Sequence, residues 1–394
     1  MHERTTAATA LNFSLKVASR CNINCTYCYV YNGNDTTWKT RPALMSDDVF
    51  TVAVQRIRAH CRRSGQRQVE ITFHGGEPCL LGAATFDRWC TELRSALADV
   101  TDVRLCIQTN ATLLDERWHR VLARHDVLVG ISMDGPEAVH DRYRVDKRGR
   151  GTYRTVERRV TAMLADGVRA SVLCVVQLGA DGLAVHRQLE SFGFESIGYI
   201  LPHISHDGFQ AIRDQYGDTP CADFLLPVLD HWCTVRNATP EIVLFWQMFR
   251  VVLGGHSLFD LFGNRILPFV FVETDGSMGG LDTLRVDEHG LAETGLDVMR
   301  NDFVDIRDVS DLHRRVMFDG VPLPTGCAGC RESTTCAGGH LADRYSAARG
   351  FDNRSVWCAD LLLLFGRVRE LLEVSPGETL LRRQALAGLR TAGA

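Results

Sequence analysis

The sequence predicts an α/β protein whose first half folds as a parallel sheet with helices outside it. Two observations carry that reading. Short β-type runs alternate with helical patterns six times in series. Polar and glycine-rich motifs then recur at the carboxyl ends of successive strands, the face on which barrels of this construction build their sites. Periodicity alone leaves an open (β/α)6 partial barrel and a doubly wound sheet both standing; the motif positions favour the barrel.

The expected strands are 11–17, 69–73, 103–108, 127–133, 171–177 and 196–201. A helix should follow Ser46, an N-cap with Asp47 and Asp48 in the first turn, where acids suit the helix dipole. Another should run over 154–166, with Val156, Val160, Met163 and Leu164 on one face and Gly167 closing it. From 206 to 255 the pattern is helical: Thr239 and Pro240 suit an N-cap and N1, and Ile242, Phe245, Trp246, Phe249, Val252 and Leu253 form a stripe. Asp275 and Gly276 predict a small hairpin. A cysteine-rich stretch and a helix over 359–373 follow. The expected organisation is a barrel over 1–205, a helical bridge over 206–265, and a cysteine-rich domain with a C-terminal helix over 266–394.

Composition sets the class. Among 394 residues, 45% are hydrophobic and 23% charged, too apolar for disorder. A net charge of -4 carries no basic footprint, so no nucleic-acid partner is expected. Residues 1–20 lack an apolar signal region and no run approaches a membrane span, so a cytoplasmic chain without a membrane partner is expected. There, 14 cysteines argue for metal ligation over disulfides. Three fall over 21–28 and four over 327–358. Cys61, Cys79, Cys90, Cys106, Cys174, Cys221 and Cys233 are scattered and read as buried inert thiols.

Cys21, Cys25 and Cys28 sit in one loop directly after the first strand. Three ligands are an odd number for structural zinc, which wants four. For a four-iron cluster three is the useful number, since it leaves one iron open for substrate. Zinc completed by a distant fourth ligand is the alternative. The second strand ends in His74-Gly75-Gly76-Glu77-Pro78, where glycines allow close backbone approach and Glu77 offers an acceptor for an ammonium group. The third ends in Gln108-Thr109-Asn110, the fourth carries Ser132-Met133-Asp134-Gly135, and His140, Asp141 and Arg144 follow. Each alone reads as an ordinary strand-end polar residue; four strand ends in succession do not.

With these motifs the chain resembles the radical SAM peptide-modifying enzymes, from about residue 12 to 201. The resemblance implies an open (β/α)6 barrel and a 4Fe–4S cluster on Cys21, Cys25 and Cys28. That cluster would cleave S-adenosylmethionine (SAM) to a 5′-deoxyadenosyl radical, with Tyr27 beside the adenine. It further implies that Gly75, Gly76, Glu77, Gln108, Asn110, Ser132, Asp134 and Arg144 lie at or near SAM.

The second group, Cys327, Cys330, Cys336 and Cys358, offers four thiolates, which by spacing suit a zinc knuckle or a four-iron cluster. Residues 269–372 resemble the SPASM extension of the same enzymes, implying one auxiliary 4Fe–4S cluster there. A full SPASM module carries a second, inner cluster. Its next cysteine falls at His340 here and its hairpin cysteines within 276–281, where this chain has none, so the inner cluster is expected to be absent. In the SPASM pattern the aspartate after a hairpin cysteine is a candidate general base; here Leu281 replaces that cysteine and Asp282 remains, with an ordinary turn aspartate as the alternative.

The tail, from Gly338-Gly339-His340 to Trp357-Cys358, resembles maturases that form cyclophane crosslinks in ribosomally made precursor peptides, as do Tyr29, Val30, Tyr31, Trp38, Arg41 and Pro42. The expected reaction is therefore β-hydrogen abstraction from a precursor peptide followed by an intramolecular side-chain crosslink, with flavodoxin or ferredoxin as electron donor. The barrel pattern begins close to Met1, so leader recognition is expected to use the barrel, the bridge or a separate protein. Formylglycine formation of the anaerobic sulfatase-maturase type is the alternative reaction. A non-catalytic zinc or iron–sulfur scaffold is the alternative class; a nucleic-acid-modifying radical SAM enzyme lacks a basic module to support it.

Overall fold

The computed structural model describes residues 10–235, 240–262 and 268–392. The first half runs β1 (Asn12–Ala18), α1 (Asp47–Ser64), β2 (Gln68–Gly75), α2 (Ala83–Leu97), β3 (Asp102–Thr109) and α3 (Glu116–Arg124). It continues with β4 (Leu128–Ser132), α4 (Glu137–Tyr143), α5 (Tyr153–Ala165), β5 (Ala170–Val175), α6 (Gly182–Glu190) and β6 (Ser196–Ile200). The second half carries α7 (His206–Tyr216), α8 (Pro220–Thr234), β7 (Glu241–Ile242), α9 (Val243–Val252), β8 (Phe269–Val272) and β9 (Met278–Gly279). After short α10 (Ile306–Val309) and α11 (Asp311–Arg314) come α12 (Cys358–Leu372) and α13 (Pro376–Ala392).

These elements form two compact units that interleave along the chain. The first takes the residues up to Met133 with His140–Ser171 and Pro268–Asp319; the second takes the rest. In the first, the strand order is β4-β3-β2-β1-β8-β9, parallel except for the β8–β9 pair. Six of the seven β1 residues are buried, as a strand covered on both faces requires. Aromatic pairs join the helices to one another and to the sheet: Phe50 of α1 stacks on Trp89 of α2 at 4.0 Å, and Phe86 of α2 meets Phe73 of β2 at 4.6 Å and Trp118 of α3 at 5.1 Å. In the second unit β6 pairs in parallel with β5 and β7, and α8 packs on α6 and α12.

The alternating α/β architecture matches the sequence expectation strand for strand, within two residues at most ends. Ser46 caps α1 by accepting from the Val49 amide, and Gly65 ends it at φ 63°. Three features differ. The first hairpin strand, β8, joins the main sheet beside β1, pairing Asn12 with Phe269 through Leu15 with Val272. The buried face of α9 is wider than the stripe: Ile242, Phe245 and Val252 are buried as expected, Leu244, Met248 and Val251 are buried as well, and Trp246 and Leu253 are exposed, because α9 packs on β6, α12 and α13 at once. Thr239, the expected cap, lies outside the described residues, and the helix begins at Val243. Among the scattered cysteines Cys233 is exposed and Cys106 half-buried, against the expectation of burial. Among the described residues, no helix is long and apolar enough to cross a membrane.

Candidate functional site

In the first unit β1 ends at Ala18 and the chain turns directly into the loop of Cys21, Cys25 and Cys28. The loop after β2 is fastened to it: the Gly76 amide donates to the Ala18 carbonyl at 2.7 Å and the Glu77 amide to the Arg20 carbonyl at 3.0 Å. Only glycine fits here. A Cβ on Gly76 would stand 2.4 Å from the Arg20 carbonyl oxygen, and one on Gly75, at φ 134°, 2.2 Å from that of Ala18. The close approach expected from the two glycines is thus made to the cysteine loop itself.

Two more strand-end side chains reach the same loop. Asn110 Nδ2 donates to Asn22 Oδ1 at 2.9 Å and stands 3.6 Å from Cys21 Sγ. Arg144 Nη1 stands 3.9 Å from Cys25 Sγ, and its guanidinium covers the Tyr27 ring at 5.4 Å. Tyr27 also meets Tyr143 at 5.8 Å. Gln108 and Ser132 pair with each other, Nε2 donating to Oγ at 2.9 Å, and the Gln108 side chain leaves no room for a Cβ on Gly130.

Glu77 and Asp134 depart from expectation. The Glu77 carboxylate is fully buried and accepts from Thr109 Oγ1 at 2.7 Å, the Asn110 amide at 2.8 Å and the Cys79 amide at 2.9 Å. It holds the end of β3 and the turn after β2 instead of offering itself to a ligand. Asp134, in the second unit, is equally buried and accepts from the Val175 amide and Gln177 Nε2. Both are positioning residues.

Burial pushes the Cys21 thiol up to about 12, and Glu77, Cys25 and Cys28 add to the push against the opposing Ile23 amide. Cys28 is also raised, chiefly by burial, with Arg144 opposing. Such thiols ionise only when a cation arrives to bind them. That donor chemistry fits an iron–sulfur cluster held by three cysteines.

Asp282, expected as a general base, is the centre of a buried ion network. It accepts from Lys16 Nζ in a very short bond, from Arg285 Nε at 2.6 Å and from the Tyr29 hydroxyl at 3.0 Å. Glu273 joins Lys16 at 3.0 Å and Arg285 at 2.7 Å, Asp35 pairs with Arg285, and Arg41 holds Glu293 at 2.7 Å. Although burial opposes ionisation, Lys16 and Arg285 hold the Asp282 carboxyl far below the usual carboxylate range. With its oxygens taken by Lys16, Arg285 and the Tyr29 hydroxyl, Asp282 anchors these segments to one another. Sequence reasoning missed this network; its one local signal is Lys16, a lone charge within the apolar run of β1. Burial, then Lys16, pushes the imidazole of neighbouring His74 down, against Asp282 and Glu273.

In the second unit Cys327, Cys330, Cys336 and Cys358 line one small cavity with Gly338 and Arg354. The Cys330 amide donates to the Cys327 carbonyl at 3.1 Å, turning the loop back on itself. Burial lifts Cys336 to about 12 with help from Cys358, and Cys327 and Cys358 are raised too. Four thiols around one space fit a fully ligated cluster. The buried Arg369–Glu332 pair, 2.7 Å apart, and the Glu332-capped turn to Cys336 brace it.

Residues 15–181 match the Radical SAM superfamily. A cysteine-type anaerobic sulfatase-maturating enzyme of Clostridium perfringens is 34% identical over 344 residues, covering 84% of this chain and 88% of that protein. A serine-type anaerobic sulfatase-maturating enzyme of Klebsiella aerogenes is 28% identical over 286 residues, 70% of this chain and 67% of that one. The solved structure of native anSMEcpe with bound AdoMet and Cp18Cys peptide shares the fold at TM-score 0.76 and 22% identity, over 95% of this chain and 99% of that chain. The chain belongs to the radical SAM superfamily, alongside the anaerobic sulfatase-maturating enzymes, and its cofactors are SAM and 4Fe–4S clusters.

Proposed function

We propose that this enzyme oxidises a serine or cysteine side chain of a protein substrate to formylglycine. The observation that carries the reading is the 34% identity over 88% of a cysteine-type sulfatase-maturating enzyme. In it, Cys21, Cys25 and Cys28 hold the SAM-binding cluster, and Cys327, Cys330, Cys336 and Cys358 hold one auxiliary cluster. Gly75, Gly76, Asn110 and Arg144 border SAM, with Gln108 and Ser132 behind them and Tyr27 at its adenine; Glu77 and Asp134 act through the backbone they hold. When bound and reduced, these groups supply a 5′-deoxyadenosyl radical that can take a hydrogen atom from a β-carbon, and an acceptor for the electron released afterwards. Residues 1–205, 206–265 and 266–394 serve as barrel, bridge and auxiliary modules, and a flavodoxin or ferredoxin supplies electrons.

The chain's own contribution is placement. The Gly76–Ala18 bond and the Asn110 side-chain amide hold the cysteine loop at the strand ends, while Arg144 lies over Tyr27. The Asp282 network holds Tyr29, one residue from Cys28.

A second reading, cyclophane crosslinking of a ribosomally made precursor peptide, is favoured by one observation: residues 276–281 carry no cysteine. Both readings begin with a hydrogen atom taken from a β-carbon and part on the fate of that carbon. The reconstituted enzyme, SAM and a reductant are incubated with a peptide spanning a sulfatase active-site cysteine or serine, and with peptides encoded beside the gene. An aldehyde trapped by hydrazine is the expected result. A product lighter by two hydrogens, with no carbonyl and a stretch resistant to fragmentation, would transfer the assignment to crosslinking. Modification of neither peptide class, with SAM cleavage intact, would overturn both.

A further inference from the structure

Away from the seven cysteines of the two clusters, the second unit gathers His203, His340 and Asp343. One ligand atom from each lies within 4.8 Å of the other two. Asp260 stands beside them, its Oδ2 3.2 Å from His340 Nε2. We propose that these side chains bind one divalent transition-metal ion, zinc or ferrous iron, distinct from the iron–sulfur sites.

The donor set is two imidazoles and a carboxylate with a second carboxylate at hand, the combination that suits both ions. Distances fit as well. Metal–ligand bonds of about 2.0–2.2 Å place tetrahedral ligand atoms roughly 3.3–3.6 Å apart, and His203 Nδ1 already lies 3.2 Å from Asp343 Oδ1. The two imidazole rings face each other at 4.5 Å with 35° between their planes. When His340 donates from Nε2 to Asp260, its lone pair sits on Nδ1; a carboxylate behind a ligating histidine fixes tautomer and ring direction in this way.

Burial makes the charge arrangement meaningful. His340 and Asp343 are each 2% exposed, so two carboxylates and two imidazoles meet largely out of water, where one divalent cation would neutralise the acids. Asp260 is the more open member, with a third of its side chain exposed, and offers the ion a way in. The nearby cation Arg344 is committed elsewhere, donating to the carbonyls of Ala337 at 2.7 Å and Gly339 at 2.8 Å.

The site is also held in advance. Trp357 Nε1 donates to the Pro202 carbonyl at 2.8 Å, next to His203, and the His206 amide to the Tyr345 carbonyl at 2.9 Å. The Val356 amide donates to the Asp343 carbonyl at 2.8 Å. These bonds fix the backbone on both sides of His203 and at Asp343, so little ordering remains there for an ion to impose.

The test uses the reconstituted holoenzyme, equilibrated anaerobically with zinc(II) or with ferrous iron, desalted, and assayed for zinc, iron and acid-labile sulfide. Cluster iron is matched by sulfide, so the expected result is about one zinc, or about one iron in excess of sulfide, per chain. His203→Ala and Asp343→Asn should lose that ion while keeping cluster iron and sulfide, and Cys327→Ala/Cys330→Ala should keep it. A wild-type protein holding no such ion overturns the proposal. So does an ion that survives both variants, or one lost with the two cysteines. Should the variants lose their clusters as well, the zinc absorption edge of the wild type decides: imidazole scattering with oxygen supports the site, and sulfur ligands overturn it.

Discussion

The two cysteine regions are assembled by opposite means. Cys21, Cys25 and Cys28 come from one short loop, but their surroundings arrive from distant positions: Gly76 after β2, Asn110 after β3, Arg144 after α4. Cys327, Cys330, Cys336 and Cys358 line a cavity whose other walls, among them Gly338 and Arg354, come from the same stretch of chain. The first arrangement has three donors and a ring of polar groups; the second has four donors and closes on itself. A site meant for a reacting ligand must leave a coordination position open, and a site meant to hold a cluster need not.

The strongest way to break this comparison is to remove each set of thiols in turn. Cys21, Cys25 and Cys28 changed together to Ala should abolish release of 5′-deoxyadenosine and lower iron from about eight to about four per chain. Cys336→Ala with Cys358→Ala should lose the other half of the iron yet retain reductive SAM cleavage without peptide. Equal loss of cleavage in both variants would remove the distinction.

Asp282→Asn comes next in expected size. It removes one of the two anions that Lys16 and Arg285 share and leaves Glu273 to face both, a loss below the roughly 3–5 kcal/mol of an uncompensated buried charge. Denaturant unfolding should show that loss. SAM cleavage should fall with it, because the Tyr29 hydroxyl loses its acceptor next to Cys28. Normal stability with full SAM cleavage and no peptide product would instead restore Asp282 as the proton acceptor.

Glycine substitutions probe the same contrast more gently. Gly76→Ala forces a Cβ to within 2.4 Å of the Arg20 carbonyl, an overpacking worth about 1–3 kcal/mol, and should slow SAM cleavage. Gly326→Ala, beside Cys327, meets Arg354 at an ordinary 3.4 Å and should change the iron content little. Equal effects on activity would show that neither loop depends on close approach.

The smallest effect concerns acid sensitivity in the second unit. Burial, then His231 and Arg187, push His186 down to about 4. The unfolded chain takes up this proton near pH 6.5, the folded one only near the lower value. Stability from this group is therefore complete above about pH 6.5 and is lost as pH falls toward 4. His186→Gln should flatten the melting temperature against pH across that window, and an unchanged slope would assign the acid sensitivity elsewhere.

Much of this was legible in the sequence because the signals are local. The β1 to β6 pattern, the Ser46 cap and the Gly167 stop follow from neighbouring residues alone. The thiol spacings are equally short-range, and so is the hairpin turn at Gly276, where φ is 89°. The α9 stripe misled because three elements bury that helix, and no periodicity within ten residues records how many neighbours it has. Glu77 misled for a related reason: an acid at a strand end looks ready for a ligand until Thr109 and Asn110, in the next strand's terminus, take its oxygens.

The sequence by itself determined the alternation of strands and helices, the two sets of thiols and the superfamily they mark, since covalent spacing and hydrophobic period survive in any list of residues. Only the tertiary structure decided that β8 would extend the sheet at β1, that Asp134 would face inward, and that Lys16 would meet Asp282 across 266 positions. It alone brought His203 to His340 and Asp343. The physical reason is that burying a charge or a polar ligand is tolerable only when its partner is already in place. That partner is supplied by the packing of distant segments, which no local pattern encodes.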